Sequence, residues 1–189
     1  MHYINDTNFE NENFFESALT QGDYEYCSFI NCNFANCDIS SFKFIDCDFT
    51  DCDFSSCAIM STSFQNIKFN NCKMLGLQFD TCNPFALSLN FSNCILNHSV
   101  FYSQKLNNTH FSSCQLKEVD FSNCQLKSAN FKASDLLFAI FEGCNLEKAN
   151  FSEAKNYTIN PELNIMKGAQ FDIPEVIGLL NKYKLKINL

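Results

Sequence analysis

Tryptophan and arginine are absent from this 189-residue chain, and glycine and proline are scarce at five and three. Without a guanidinium there is no planar fork for bidentate phosphate recognition. All 13 basic residues are lysine, and the net charge of −8 has the wrong sign for a surface that meets nucleic acid directly. No apolar run approaches the roughly 18 residues that a membrane span needs. The stretch MHYINDTNFENENFF shows neither the basic nor the apolar segment of a secretory leader, so the expectation is a cytoplasmic protein without membrane contact. Glycine-rich phosphate loops, histidine-bearing metal motifs and nucleophile elbows are missing as well. The sequence therefore predicts no enzyme, no cofactor and no metal.

Phenylalanine, at 22 residues, and cysteine, at 12, are abundant instead. Large apolar residues recur every five positions, a period of neither helix nor strand. From Ile4 the series runs through Phe9, Phe14, Leu19 and Tyr24 to Phe79 without a miss. A second series, offset by two residues, alternates Phe and Leu from Phe91 to Phe151. Seventeen of the 22 Phe residues occupy these centres. Every cysteine lies two residues before a centre of one series or the other, Cys27, Cys32, Cys37, Cys47, Cys52 and Cys57 among them. Where cysteine is replaced, the position often holds a small residue, as at Ala129, Ser134 and Thr109. A small, weakly polar, buried side chain fits all of these substitutions. Zinc motifs pair cysteines two to four apart, so a period of five reads as reduced core.

Small residue, polar residue, Phe or Leu, then two polar residues is a pattern that resembles the pentapeptide repeat family, with VDFSNCQLKSANFKASDL (residues 119–136) as its clearest stretch. That resemblance implies an all-β fold, a right-handed quadrilateral β-helix with four pentapeptides per coil. Residues 20 apart then stack, each coil burying its centres against its neighbours. About seven coils are expected over residues 1–156. The stretch DTCNPFALSLNF (80–91) holds two residues more than the period allows and places Pro84 at a would-be centre. A short loop that shifts the register at 80–90 is expected there.

Residues 157–189 break the pattern. Asp172, Pro174 and Glu175 form a helix-start signature, followed by an apolar stripe and a last extended piece, KLKINL. A short C-terminal helical cap is expected to close the solenoid. NYTINPELN and GAQFDIPEVIGLLNKY are similar to the C-terminal segment of Qnr quinolone-resistance proteins and microcin immunity proteins. The resemblance implies a homodimer through this segment, with Ile173, Val176, Ile177, Leu180 and Tyr183 at the interface. It also implies a DNA-mimicking partner of a bacterial type II topoisomerase, gyrase or topoisomerase IV, that protects the enzyme from a poison such as a quinolone or microcin. Projecting loops interrupt the repeats of many Qnr proteins, whereas residues 4–79 run here without interruption.

Charge is unevenly shared. Residues 1–60 hold 11 acids and one base, Lys43, while residues 61–189 hold 10 acids and 12 lysines. Asp23, Glu25, Asp38, Asp46, Asp48, Asp51 and Asp53 in the acidic arm are the candidate partner-binding residues. A structural or scaffolding module without a topoisomerase role is the alternative, because the same acids also suit a solvated surface.

Overall fold

The computed structural model describes residues 2–187. The chain winds into a parallel β-solenoid with four faces, and its centres form four columns. The second face shows the stacking most fully. Phe9, Phe29, Phe49, Phe69, Phe91, Phe111, Phe131, Phe151 and Phe171 lie ring over ring at 4.7–5.3 Å, with interplanar angles of 3–17°. Rings on opposite faces meet edge-on across the core, as Phe111 and Phe121 do at 5.4 Å and 78°. Offset stacks along the rod combined with edge contacts across it satisfy the quadrupole of every ring. The stack does not stop at Phe151, where the repeats lapse. Bridges from Asn145 to Ile165 and from Asn150 to Gln170 carry the ladder one layer further.

Regular strands belong mainly to the first half. On the first face β1 (His2–Asn5), β3 (Gly22–Glu25), β5 (Lys43–Ile45) and β7 (Ser63–Gln65) pair in that order. On the second face β2 (Asn8–Glu10), β4 (Ser28–Ile30), β6 (Asp48–Thr50), β8 (Ile67–Asn70), β9 (Leu89–Ser92) and β10 (Phe111–Ser112) form one sheet. All pairs are parallel. β-branched residues just after the centres, Ile30, Ile45 and Thr50, favour this extended form. In the second half single bridges replace strands, and the centre carbonyl accepts a turn bond three residues on, as Phe101 does from Gln104 at 3.0 Å.

Corners arise from one conformation. Two residues after nearly every centre the backbone enters the left-handed region, at Asn31, Asn36, Asp46, Asp51, Ser56, Asn71 and onward along the rod. Asn and Asp tolerate this region better than other side-chain-bearing residues, which explains much of the polar bias at that place in the repeat. Phe138 (φ 60°) and Tyr26 (φ 53°) adopt it as well, against the steric preference of bulky side chains.

The cysteine column has a hydrogen-bonding role. Thiols donate to the carbonyl of the centre residue in the coil before, as Cys47 does to Tyr24 at 3.4 Å and Cys144 to Phe121 at 3.0 Å. Thr62 donates to Ile39 at 2.8 Å and Ser99 to Met74 at 3.0 Å from the same place. Burial pushes the thiols of Cys47, Cys57, Cys82 and Cys124 up to about 12 and that of Cys144 to about 11. Cys37 is only half-buried.

Between Phe79 and Phe91 the chain swings outward. Pro84 is exposed, Phe85 is 74% exposed, and Leu87 turns back towards the core. The backbone of Ser88 then bonds to Phe64 and Ile67, which restores the ladder in its new register. The two added residues are thus absorbed within a few positions.

The C-terminal helical segment is two short 3-10 turns, Glu175–Leu179 and Asn181–Tyr183. Asp172 does not cap the first of them with its side chain. Its carboxylate accepts the Glu153 N–H at 2.7 Å instead, and its carbonyl accepts from Val176. Gly178 lies flat on the last coil, where a Cβ would collide with the Tyr157 carbonyl. Of the expected extended piece, residues 184–187 form no strand; Asn188 and Leu189 lie outside the described residues.

Candidate partner-binding surfaces

The seven acidic candidates sit at places fixed by the repeat, and the winding distributes them over all four faces. Asp23, Asp48 and Asp53 precede the centres Tyr24, Phe49 and Phe54, so each lies one layer from the residue 20 positions on. That residue is lysine in all three cases. The pairs are Asp23–Lys43 at 3.7 Å, Asp48–Lys68 at 3.5 Å and Asp53–Lys73 at 3.1 Å. Burial opposes ionisation of Asp53, but Ser55 and the Lys73 ammonium outweigh it and hold the carboxyl below its ordinary range. Asp46 and Asp51 occupy left-handed corners and accept from the amides of Asn66 and Asn71. Glu25 accepts the Tyr3 hydroxyl at 2.6 Å.

Asp38 differs from these. It is exposed on the fourth face, and its carboxylate accepts the Ser40 N–H at 2.8 Å. Bonding to Ser40 holds its pKa below the ordinary value. No lysine reaches it among the described ion pairs. The available signal for this pairing was the expected stacking of residues 20 apart, which puts Lys43, Lys68 and Lys73 beside Asp23, Asp48 and Asp53; sequence reading applied that stacking to the core positions and not to the charged ones.

The two ends of the rod differ. At the N-terminal end Ile4, Phe9 and Leu19 are only partly buried, and Phe14 closes the floor. A recess of about 400 Å³ opens among them, with Glu12 at its rim. The C-terminal end is covered by the 3-10 segment, pinned by Asn181 to Thr158 at 2.9 Å and by Tyr183 to Glu162 at 2.9 Å. Of the five expected interface residues, Ile173 is 87% exposed, Leu180 and Tyr183 are exposed, and Val176 and Ile177 are half-buried. Leu185 and Ile187 extend the same apolar surface. Their alternation with lysine in KLKINL was the available signal.

Among the described residues no group of His, Cys, Asp and Glu is arranged to hold a metal, and no helix is long and apolar enough to cross a membrane. Two family models match the chain, one described as a pentapeptide repeat region over residues 78–151 and one as pentapeptide repeats over residues 13–51. Solved structures of QnrB1, described as a plasmid-mediated fluoroquinolone resistance protein, share the fold. A trypsin-treated variant of it aligns with a TM-score of 0.77 at 15% identity, over 99% of this chain and 92% of its own. The full-length form aligns with a TM-score of 0.61 at 17% identity, over 97% and 100%. No curated protein sequence matches.

Proposed function

Because the chain belongs to the pentapeptide repeat family, we propose that it works by binding a protein along its rod, and that the partner is a bacterial type II topoisomerase. In this reading the protein engages DNA gyrase or topoisomerase IV at the cation-lined groove that normally receives DNA, and so protects the enzyme from a poison such as a quinolone or microcin. The observation that carries the reading is the agreement of the winding with QnrB1 over 99% of this chain. The acidic N-terminal half supplies the charge. Its net of −10 over residues 1–60 gives an anionic arm, and DNA itself carries one charge per ~1.7 Å. The chain acts as a protein ligand and not as a catalyst, in the cytoplasm, without contacting nucleic acid itself.

Two chains join through the C-terminal segment in this proposal. Ile173, Leu180, Tyr183, Leu185 and Ile187 form an exposed apolar surface larger than closure of the last coil requires, and a two-fold contact would cover it. The acidic halves then point away from each other.

One observation favours a scaffolding role without a topoisomerase. Lysine pairing at Asp23, Asp48 and Asp53 lowers the charge density on three faces well below that of DNA. A supercoiling assay with purified gyrase, titrated with this protein with and without a quinolone, separates the two readings. Protection or inhibition at stoichiometric protein supports the topoisomerase reading; indifference at large excess leaves the scaffold.

A further inference from the structure

The fourth face stands apart from the other three. Its outward residues flank the centres Leu19, Ile39, Ile59, Phe79, Phe101, Phe121 and Phe141, and none of them is lysine. Bridges from Asp38 to Ala58, Gln78 to Val100, Val100 to Asp120 and Asp120 to Ile140 align one column of this face. Asp38, Asp80, Asp120 and Glu142 lie on it, and none takes part in an ion pair among the described residues. Every other face carries lysines, and acid–lysine ladders such as Asp23–Lys43, Lys68–Asp48 and Lys117–Asp135 occur there. The fourth face is therefore the one face that carries acids and no lysine.

It is also the face with a run of exposed apolar side chains. Met60 is 63% exposed, Tyr102 48%, Ile140 44% and Leu163 51%. On the other faces such residues are scattered, as surface apolars commonly are. Tyr102 and Leu163 bound a shallow groove of about 450 Å³ floored by Ser122, Asn123 and Gly143 and edged by Glu142. Gly143 keeps that floor open, since a side chain there would run into the Asn123 amide.

We propose that the fourth face is the docking surface of the rod, and that it takes a protein surface presenting lysine or arginine side chains around an apolar centre. The inference rests on the topoisomerase reading for the identity of that protein and moves the contact from the N-terminal arm to a strip running through both halves. From Asp38 to Glu142 is five layers, ~24 Å at the usual strand spacing. A duplex of that length carries about 14 charges, against four acids here. The strip is thus no copy of a phosphate backbone. Cations on the partner meet the unpaired acids, while an apolar or aromatic side chain fills the groove between Tyr102 and Leu163, the anchor-in-pocket arrangement of binding hot spots.

The test compares equal charge changes on opposite faces, with purified gyrase and topoisomerase IV as the probes. Gln78→Lys with Ser122→Lys adds two positive charges to the fourth face; Ser92→Lys with His110→Lys adds two to the second. The fourth-face pair is expected to weaken binding roughly tenfold or more, and the second-face pair by less than about twofold. Tyr102→Ala, which leaves charge and core untouched, gives a second readout should the lysine pair fold poorly, and it too is expected to cost about tenfold. Equal losses from both pairs, together with wild-type affinity for Tyr102→Ala, overturn the face assignment while leaving the topoisomerase reading in place. If the unmodified protein binds neither enzyme, the functional reading fails and the assignment falls with it.

Discussion

The thiol of Cys124 donates to the carbonyl of Phe101, 23 residues earlier, at 2.9 Å. One coil separates the two residues along the rod, so the bond crosses between layers and ties a small side chain to the backbone of a stacked ring. The relationship recurs from Cys47 to Tyr24, Cys52 to Phe29, Cys72 to Phe49 and Cys144 to Phe121. Cys124→Ser keeps a donor in place and should change stability by less than about 1 kcal/mol. Cys124→Ala loses a weak bond and about one atom of packing, for a cost of about 1 kcal/mol. Urea unfolding of the two variants checks both figures; unfolding of the wild type by a chelator or reductant would overturn the structural role.

Alkaline pH should destabilise the fold. Thiols at Cys47, Cys57, Cys82 and Cys124 are pushed up to about 12 by burial, from an ordinary value of 9.0. Between these limits the unfolded chain has released protons that the folded chain retains, so stability falls as pH rises above 9. Each such thiol contributes a slope of about 1.4 kcal/mol per pH unit. The melting temperature should drop steeply from pH 9 to pH 11, and replacing two of the four by Ala should visibly flatten the drop.

Phe121 lies between Phe101 at 5.3 Å and Phe141 at 5.1 Å and is fully buried. Phe121→Ala should cost ~3–5 kcal/mol, as large truncations in a packed core do. Phe49→Ala, in an equivalent stack, should cost the same within error. Phe85→Ala, at a 74% exposed position, should leave the unfolding midpoint unchanged. A chemical-denaturation series over the three variants tests whether burial in the column, and not aromatic identity, sets the cost.

The proposed dimer can be tested without disturbing the solenoid. Ile173→Asp with Leu180→Lys places charges on the exposed stripe and should give monomers by light scattering, with the circular dichroism spectrum retained. Gly178→Val should act differently. It forces a side chain into the Tyr157 carbonyl, lifts the whole segment, and should lower both the melting temperature and the dimer fraction. A dimer that persists in both variants places the two-fold contact elsewhere.

Releasing the paired acids tests which face a cationic partner meets. Lys68→Gln with Lys73→Gln removes the partners of Asp48 and Asp53 and makes the first half more anionic by two charges. Exposed pairs contribute ~0.2–1 kcal/mol each, so the stability change should be small. If the partner docks on the fourth face, affinity for gyrase at low salt should change by less than about twofold, whereas a rise that fades with added salt, as screening sets in, would place the contact on the second and third faces instead. An unchanged affinity at all ionic strengths would exclude an electrostatic contact near these residues.

Local sequence determined the coil. A large apolar residue every five positions, a small one two places before it and polar residues between bury one side chain per repeat and leave the others outside. That requirement is met residue by residue, so Phe49, Cys52 and Phe121 could be placed in the core from the sequence. The helix signature at Asp172 was less informative, because the last coil offered that carboxylate the Glu153 N–H as another partner. The apolar content of residues 173–183 was legible; which of them face outward was not, since Val176 and Ile177 are drawn partly under by the contact of Gly178 with Tyr157.

Only the winding decided which charges meet. Asp48 and Lys68 are 20 residues apart in sequence and 3.5 Å apart in space, whereas Asp38, Asp80 and Asp120 align along a face that no lysine reaches among the described ion pairs. Each acid follows the same local rule, but its electrostatic surroundings depend on the residue one full turn away. The sequence therefore set how much charge the surface holds, and the closure of the coil after four repeats set where that charge remains unpaired.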